Sequence, residues 1–404
     1  MHTSLFDAGI RTGFSPLRSP SRTAECQLQV RTIADVDERF CQAWRDLEKD
    51  SLSGNPFCSP EYVLPAIHHL SEIAQPYFLT VESQREMLWL GVFESVSGSR
   101  RLPVPHLRAW QTPHTYLDAP LIRRGHAQRA CEVFWDFLSR GRHDWHAVEF
   151  PRSPDSDPVT QTLDETAQSA AISCLRGTYW ERASLITSEC QPETLLARTT
   201  IKRMKSLRRG WRELEKLGEV QFEFQRDPQR ISECAEEFMR LESLGWKAER
   251  GTALASQIEH QKFFREMISR FNLQQSVMFS RLLVNGEAVA SVAHLLAGET
   301  AYAFKLGWNP ACERGCPGFQ LKMQTAMNAG LQLPEVRMID SCSSPGSFIE
   351  RVWPHRRGFC HRMYLTSPVG SLAAAMVSGL RWFRNNAMTV SRHLLQQDGE
   401  CKLL

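Results

Sequence analysis

Three things are missing from this chain of 404 residues. It has no Cys-x-x-Cys, no Gly-x-Ser-x-Gly and no apolar run long enough to span a bilayer. The first absence argues against a zinc knuckle, and Cys312, Cys316 and Cys342 have no further Cys or His at ligand spacing, so no metal is expected. The second removes the nucleophile elbow of a serine hydrolase. The third, with an N-terminus lacking an apolar targeting stretch, leads us to expect a soluble protein without a membrane span. The twelve cysteines are scattered from Cys26 to Cys401. In a chain of this length they read as reduced thiols in a cytoplasmic protein rather than as a disulfide framework. A large excess of one charge is lacking too: the formal net charge is +3, so any preference for anions has to be local.

What is present suggests two α/β domains. Residues 1–25 are rich in Ser, Thr, Arg and Pro and are expected to be disordered. The spacing of Val36, Phe40, Trp44 and Leu47 predicts a helix, and Ser59-Pro60 the capped start of the next. Strands are expected at Pro76–Val81 and Leu88–Phe93, then an irregular Pro-rich stretch from Arg101 to Ile122. A helix at Ala127–Leu138 and a strand at Ala147–Phe150 close the first unit. Residues 151–170 read as a surface connection. In the second unit, helices are predicted around Met204–Leu214, Ile231–Leu244 and Ser256–Phe271. Asn285-Gly286 joins two strands as a hairpin. A strand at Ala301–Gly307, a helix around Phe319–Met327, a strand at Val336–Asp340 and a helical tail from Ser371 complete the reading. Both units run helices, strands, helix, strand, which points to an internal duplication. The expected divisions are 26–185, 186–365 and a tail, 366–404.

Several residues could carry chemistry. The turn Arg314-Gly315-Cys316-Pro317-Gly318 opens a helix beside a sheet, where backbone N–H groups and the helix dipole favour a phosphate. A plain strand-to-helix turn needs the same residues. Strand alternation places Tyr302, Phe304 and Leu306 on one face and Lys305 on the other, among small residues, as on a cleft floor or a solvated face. His294 shares a face with Ala288, Ala290 and Val292 and is a candidate general base or a structural imidazole. Glu242 and Trp246 lie four apart at a helix end, followed by Lys247. Asp340 ends an apolar strand. Lys202, Arg203, Lys205, Arg208, Arg209, Arg212 and Lys216 form a basic run that is either an anion-binding or a solvated face.

The stretch from Glu236 to Trp353 resembles the CelD/BcsL acetyltransferases associated with cellulose biosynthesis, a branch of the GNAT superfamily. The resemblance rests on Glu242-x-x-x-Trp246-Lys247 followed by Gly251-Thr252-Ala253, on Lys305 in its strand, and on Arg314-Gly315-Cys316-Pro317-Gly318. It is looser in the first unit, at Asn55-Pro56-Phe57, Ser59-Pro60-Glu61 and Tyr116–Ile122. It implies two tandem GNAT-like domains and transfer of an acyl group, acetyl in such families, from acyl-coenzyme A to an amine or hydroxyl, a saccharide by analogy. Arg314, Gly315 and Gly318 would hold the pyrophosphate. Trp246, Lys247 and Trp353 would line the acceptor site. Glu242, Asp340 or His294 would take a proton, with Lys305 beside the thioester. Two departures stand out: Pro317 removes one N–H donor, and Arg351 replaces an expected lysine. A FemAB-like transferase using aminoacyl-tRNA, and a non-catalytic binding module, are the rival readings; nucleic acid is otherwise not expected as a partner.

Overall fold

The computed structural model describes residues 26–70, 73–84, 86–140, 143–191, 193, 195, 201–244 and 254–380. Within them the chain is mixed α/β, with helices packed on a large mixed sheet. The first half contains β1 (Gln27–Arg31), α1 (Glu38–Lys49), α2 (Pro60–His69), β2 (Tyr77–Ser83), β3 (Glu86–Val96) and β4 (His106–Ala109). It continues with β5 (Leu121–Ile122), α3 (Ala127–Ser139), β6 (Ala147–Pro154), α4 (Pro158–Ser169) and β7 (Ser173–Ile186). The second half contains α5 (Ile201–Glu215), β8 (Val220–Gln225), α6 (Ile231–Ser243), α7 (Ile258–Leu273), β9 (Val277–Val284) and β10 (Glu287–Ala297). Then come β11 (Thr300–Trp308), α8 (Pro317–Gln332), β12 (Met338–Asp340) and β13 (His355–Leu365), with a last helix at 368–380.

The strand order is β1-β2-β3-β4-β6-β13-β7-β12-β11-β10-β9-β8, with β5 paired to β3. Read inward from either edge, the two halves match. Four antiparallel strands are followed by one parallel pair, β4 with β6 or β11 with β12. The strand that closes each half sits in the other: β13 pairs with β6, β7 pairs with β12, and β7 and β13 pair with each other. The sheet therefore runs through the seam without a break.

Local chemistry explains most elements. Asp37 accepts the Phe40 N–H at 2.8 Å and starts α1, whose Phe40, Trp44 and Leu47 face the core. Ser59 stands at the N-cap of α2, but its hydroxyl donates back to the Pro56 carbonyl at 2.8 Å instead of capping. Asn285 and Gly286 both take positive φ, 51° and 82°, which matches the hairpin twist between β9 and β10.

The surface connection expected over 151–170 is not one. β6 extends to Pro154, and Asp157 caps α4 by accepting the Val159 N–H at 3.0 Å. Val159, Leu163 and Ala167 recur every four residues and are buried, a stripe hidden among polar neighbours. β1, β7 and β13 have no counterpart in the sequence reading. Of the helical tail, residues 368–380 are helical, and 381–404 lie outside the described residues. All eleven cysteines among the described residues are free. No helix among them is long and apolar enough to cross a membrane.

Candidate active site at the β11–β12 split

β11 and β12 pair only at Thr300–Met338, Ala301–Ile339 and Tyr302–Asp340. β11 then continues to Trp308 while the chain leaves β12, so the two parallel strands part. At the mouth of this gap the pairing with β10 skips Phe304: Lys305 faces Ala293 and Ala303 faces His294. An extra residue in one strand bends it and interrupts side-chain alternation.

The bulge corrects the predicted faces. Ala301 and Ala303 join the core beneath α8, and Tyr302 and Phe304 join the core beneath α6 and α7. After the bulge the faces exchange. A Cβ on Gly318 would lie 3.3 Å from Leu306, so Leu306 points to α8. Lys305 instead shares the α6 side with Phe304, and its Nζ lies 4.0 Å from Glu242 Oε1. Gly307 is needed there because a Cβ would sit 2.8 Å from the Glu242 backbone nitrogen. His294, in turn, shares its face with Ala290 and Val292 but not with Ala288, because the β9–β10 register also shifts between Ala288 and Ala290.

Glu242 is buried in the last turn of α6, and its Oε2 accepts the Leu254 N–H at 2.9 Å. Around Lys305 the structure adds residues that the sequence reading did not select. His114, from the loop between β4 and β5, stacks on Phe263 with ring centroids 5.6 Å apart. Its Nε2 lies 3.1 Å from His260 Nδ1 on α7. Burial, with smaller contributions from the Lys305 and His260 charges, pushes the His114 pKa down to about 2, so the ring is neutral. Tyr116 from the same loop packs edge-on against Phe304 at 5.9 Å. His114 lay in the irregular Pro-rich stretch, and its partner is 146 residues away, so no periodicity marked it.

The anion-binding candidates lie at the other wall of the gap. Pro310–Gly315 is a 3-10 turn, Cys316 takes a left-handed φ of 50°, and α8 starts at Pro317. Gly315 is buried; a Cβ there would lie 2.3 Å from Leu214 of α5, so close packing alone demands glycine. Gly318 supplies the first N–H of α8, because Pro317 has none. Arg314 is exposed. Lys216 first, then Arg209 and Arg314, lower the Glu213 carboxyl pKa, which puts Arg314 beside the basic helix α5. On α5, Lys202, Lys205, Arg208, Arg209 and Arg212 are exposed, whereas Arg203 donates to the Arg351 carbonyl at 2.7 Å.

The remaining candidates are not at this gap or are committed elsewhere. Asp340 is fully buried: Arg182 holds it at 2.6 and 2.7 Å, Arg357 at 2.9 Å, and the Cys342 N–H at 3.0 Å. Burial raises its pKa, but the two guanidinium groups outweigh that and hold it below the usual carboxylate value. His294 is fully buried on the α8 side and bonds Ser280 Oγ at 2.9 Å. Burial, with Lys322, pushes its pKa well below the usual imidazole value. Trp353 is also in the core: its indole donates to the Lys322 carbonyl at 3.0 Å, and its ring faces Lys322 Nζ at 4.9 Å. Trp246 and Lys247 lie outside the described residues. A cleft of about 360 Å³ at the opposite end of β11, lined by Gly54, Asp157, Met338 and Arg357 among others, contains none of the predicted site residues.

Residues 202–344 match the family model described as an acetyltransferase (GNAT) domain, a segment that contains the split, Glu242, Lys305 and the α8 turn. No curated protein matches the chain. Among solved structures, the chain is similar to FemX at 10% identity, covering 79% of this chain and 95% of that one with a TM-score of 0.49. A tandem GNAT protein from the clavulanic acid biosynthesis pathway is 12% identical, with coverages of 83% and 98% and a TM-score of 0.38. A conserved protein of unknown function from Bacteroides thetaiotaomicron is 9% identical, with coverages of 82% and 98% and a TM-score of 0.49.

Proposed function

We propose that the second half is an acyltransferase site that takes an acyl group, acetyl in the simplest case, from acyl-coenzyme A and passes it to an amine or hydroxyl. The observation that carries this reading is the parting of β11 from β12, with the bulge at Phe304 at its mouth and the N-terminus of α8 beside it. Such a gap offers an extended thioester-bearing arm a course along β11, and it ends on backbone donors suited to a pyrophosphate. Gly318 and Arg314 are the residues assigned to the phosphates, with the exposed arginines of α5 alongside. A backbone N–H of β11 near Lys305 would polarise the thioester carbonyl. The acceptor's nitrogen or oxygen attacks that carbonyl carbon, the carbon–sulfur bond breaks, and the thiolate leaves with coenzyme A.

Glu242 is our candidate for the proton acceptor, set beside Lys305 at the same gap. Asp340 and His294 are assigned to structure, because Arg182 and Arg357 hold the Asp340 carboxylate and His294, bonded through Nε2 to Ser280, is fully buried on the α8 side away from Lys305. The resemblance to the CelD/BcsL family supports a saccharide-like acceptor. Calorimetric titration with acetyl-coenzyme A and with free coenzyme A tests the reading. Micromolar binding that Gly318→Trp or Arg314→Glu weakens is expected; no binding of either ligand would overturn it. The exposed basic face of α5 favours one alternative, an aminoacyl-tRNA donor. That reading requires RNA binding that falls steeply with salt and no affinity for acetyl-coenzyme A.

A further inference from the structure

His114 is only 4% exposed, and its Nδ1 has no hydrogen-bond partner among the described residues. A buried polar nitrogen left without a partner costs free energy, so it points to a ligand or water that completes it. The nitrogen belongs to the ring that stacks on Phe263, stands edge-on to Phe304 at 6.1 Å and lies within reach of the Lys305 charge. It is therefore at the bulge where the reacting carbonyl is placed. Among the described residues, the charged and titratable groups around it are Lys305 on β11, His260 on α7 and Glu242 on α6, the last beside Lys305. The nearby phenols, Tyr62 on α2 and Tyr116 on the His114 loop, are pushed up by burial and stay neutral.

We infer that His114 is the residue through which the first half contacts the acceptor, its Nδ1 accepting a hydrogen bond from a neutral amine or a hydroxyl, and that His260 sets the proton arrangement of that ring. This rests on the acyl-transfer reading above. With both rings neutral, the bridging proton sits on His114 Nε2 and leaves Nδ1 as an acceptor. When the half-buried His260 takes a proton, its Nδ1 must donate to His114 Nε2. The single proton of His114 then moves to Nδ1, which becomes a donor and no longer accepts from the substrate. Acceptor recognition thus weakens once His260 is protonated, without His114 itself becoming charged.

Ring-nitrogen NMR of the full-length chain labelled at histidine tests the pair directly. On acidification, His114 Nδ1 is expected to change from a lone-pair to a protonated nitrogen while the ring stays neutral, and His260→Gln should abolish the change. A His114 that becomes doubly protonated, or a Nδ1 signal that never moves, overturns the proposal. Kinetics with acetyl-coenzyme A and hydroxylamine as the probe acceptor test the contact. His114→Phe keeps the ring stack and should raise the hydroxylamine KM about 5-fold while leaving acetyl-coenzyme A affinity unchanged. Intact acetyl-coenzyme A binding with an unmoved KM overturns the role of His114 alone. No acetyl-coenzyme A binding by the unaltered protein overturns the acyl-transfer reading itself.

Discussion

The two halves share one strand order but treat the gap beside their parallel pair in opposite ways. In the second half, residues 309–316 lead from β11 to α8 by turning toward α5 rather than back over β11 and β12. In the first half, the longer segment 110–126 folds back over the gap between β4 and β6. Asn55 Nδ2 donates to the Ala119 carbonyl at 2.5 Å, and the Arg152 N–H donates to Asp118 at 2.5 Å, tying that segment to the end of β6. Only a cavity of about 20 Å³ remains there, lined by Phe57, Trp110, Leu117 and Phe150 among others. The same segment presents His114 and Tyr116 to the second half. The two halves thus share a strand order, and the loop of the first half walls the gap proposed here for acyl transfer in the second.

The largest expected effect comes from separating the halves. Residues 26–185 and 186–380 expressed alone each lose the strand that the other supplies. Circular dichroism and gel filtration should find neither folded; a monomeric, cooperatively unfolding fragment would show that the exchange of β7 and β13 is dispensable. Next is Asp340→Ala, which leaves buried Arg182 without its carboxylate and Arg357 with Asp157 alone. Chemical denaturation should show a loss of about 3–5 kcal/mol. Truncating Phe57, whose ring lies 5.8 Å from Tyr302 across the seam, should cost about 3 kcal/mol in the same assay.

A smaller effect is expected from acid. Burial raises the Glu149 pKa, but contacts from His361 at 2.6 Å and His106 at 3.4 Å outweigh it and bring it to about 2. A carboxylate depressed by folding contributes stability above its unfolded pKa of about 4.3, lost as pH falls toward 2. Glu149→Gln should flatten the denaturation midpoint over that interval. The mildest change is on the open side: Glu242→Gln should lower kcat with little effect on acetyl-coenzyme A affinity or stability. An unchanged kcat would remove Glu242 from the mechanism.

Elements with a strong local signal were legible in the sequence. Asn285-Gly286 announced its hairpin, and the apolar spacing of α1, α6 and α7 announced their buried faces. α4 was missed because its stripe of Val159, Leu163 and Ala167 is diluted by polar residues. β7 and β13 were missed for a different reason. Their stability comes from pairing across the seam, Arg182 with Arg357 and Trp180 with Phe359, and nothing nearby in sequence encodes it. Among the candidate site residues, Lys305 was expected on the face opposite Phe304, whereas the bulge puts both on the α6 side. A one-residue bulge cannot be read from alternation, since its cause is the register of β10 against β11.

The residues themselves determined most of the helices, the β9–β10 hairpin and that a glycine-containing turn opens α8, because capping, periodicity and φ preferences act over a few neighbours. Tertiary structure alone decided that Asp340 is a buried link between strands, that Lys305 meets Glu242, and that a histidine of the first half stands at the gap of the second. Those contacts join residues tens to hundreds of positions apart, and their energies depend on burial and charge pairing that exist only once the two halves have exchanged strands.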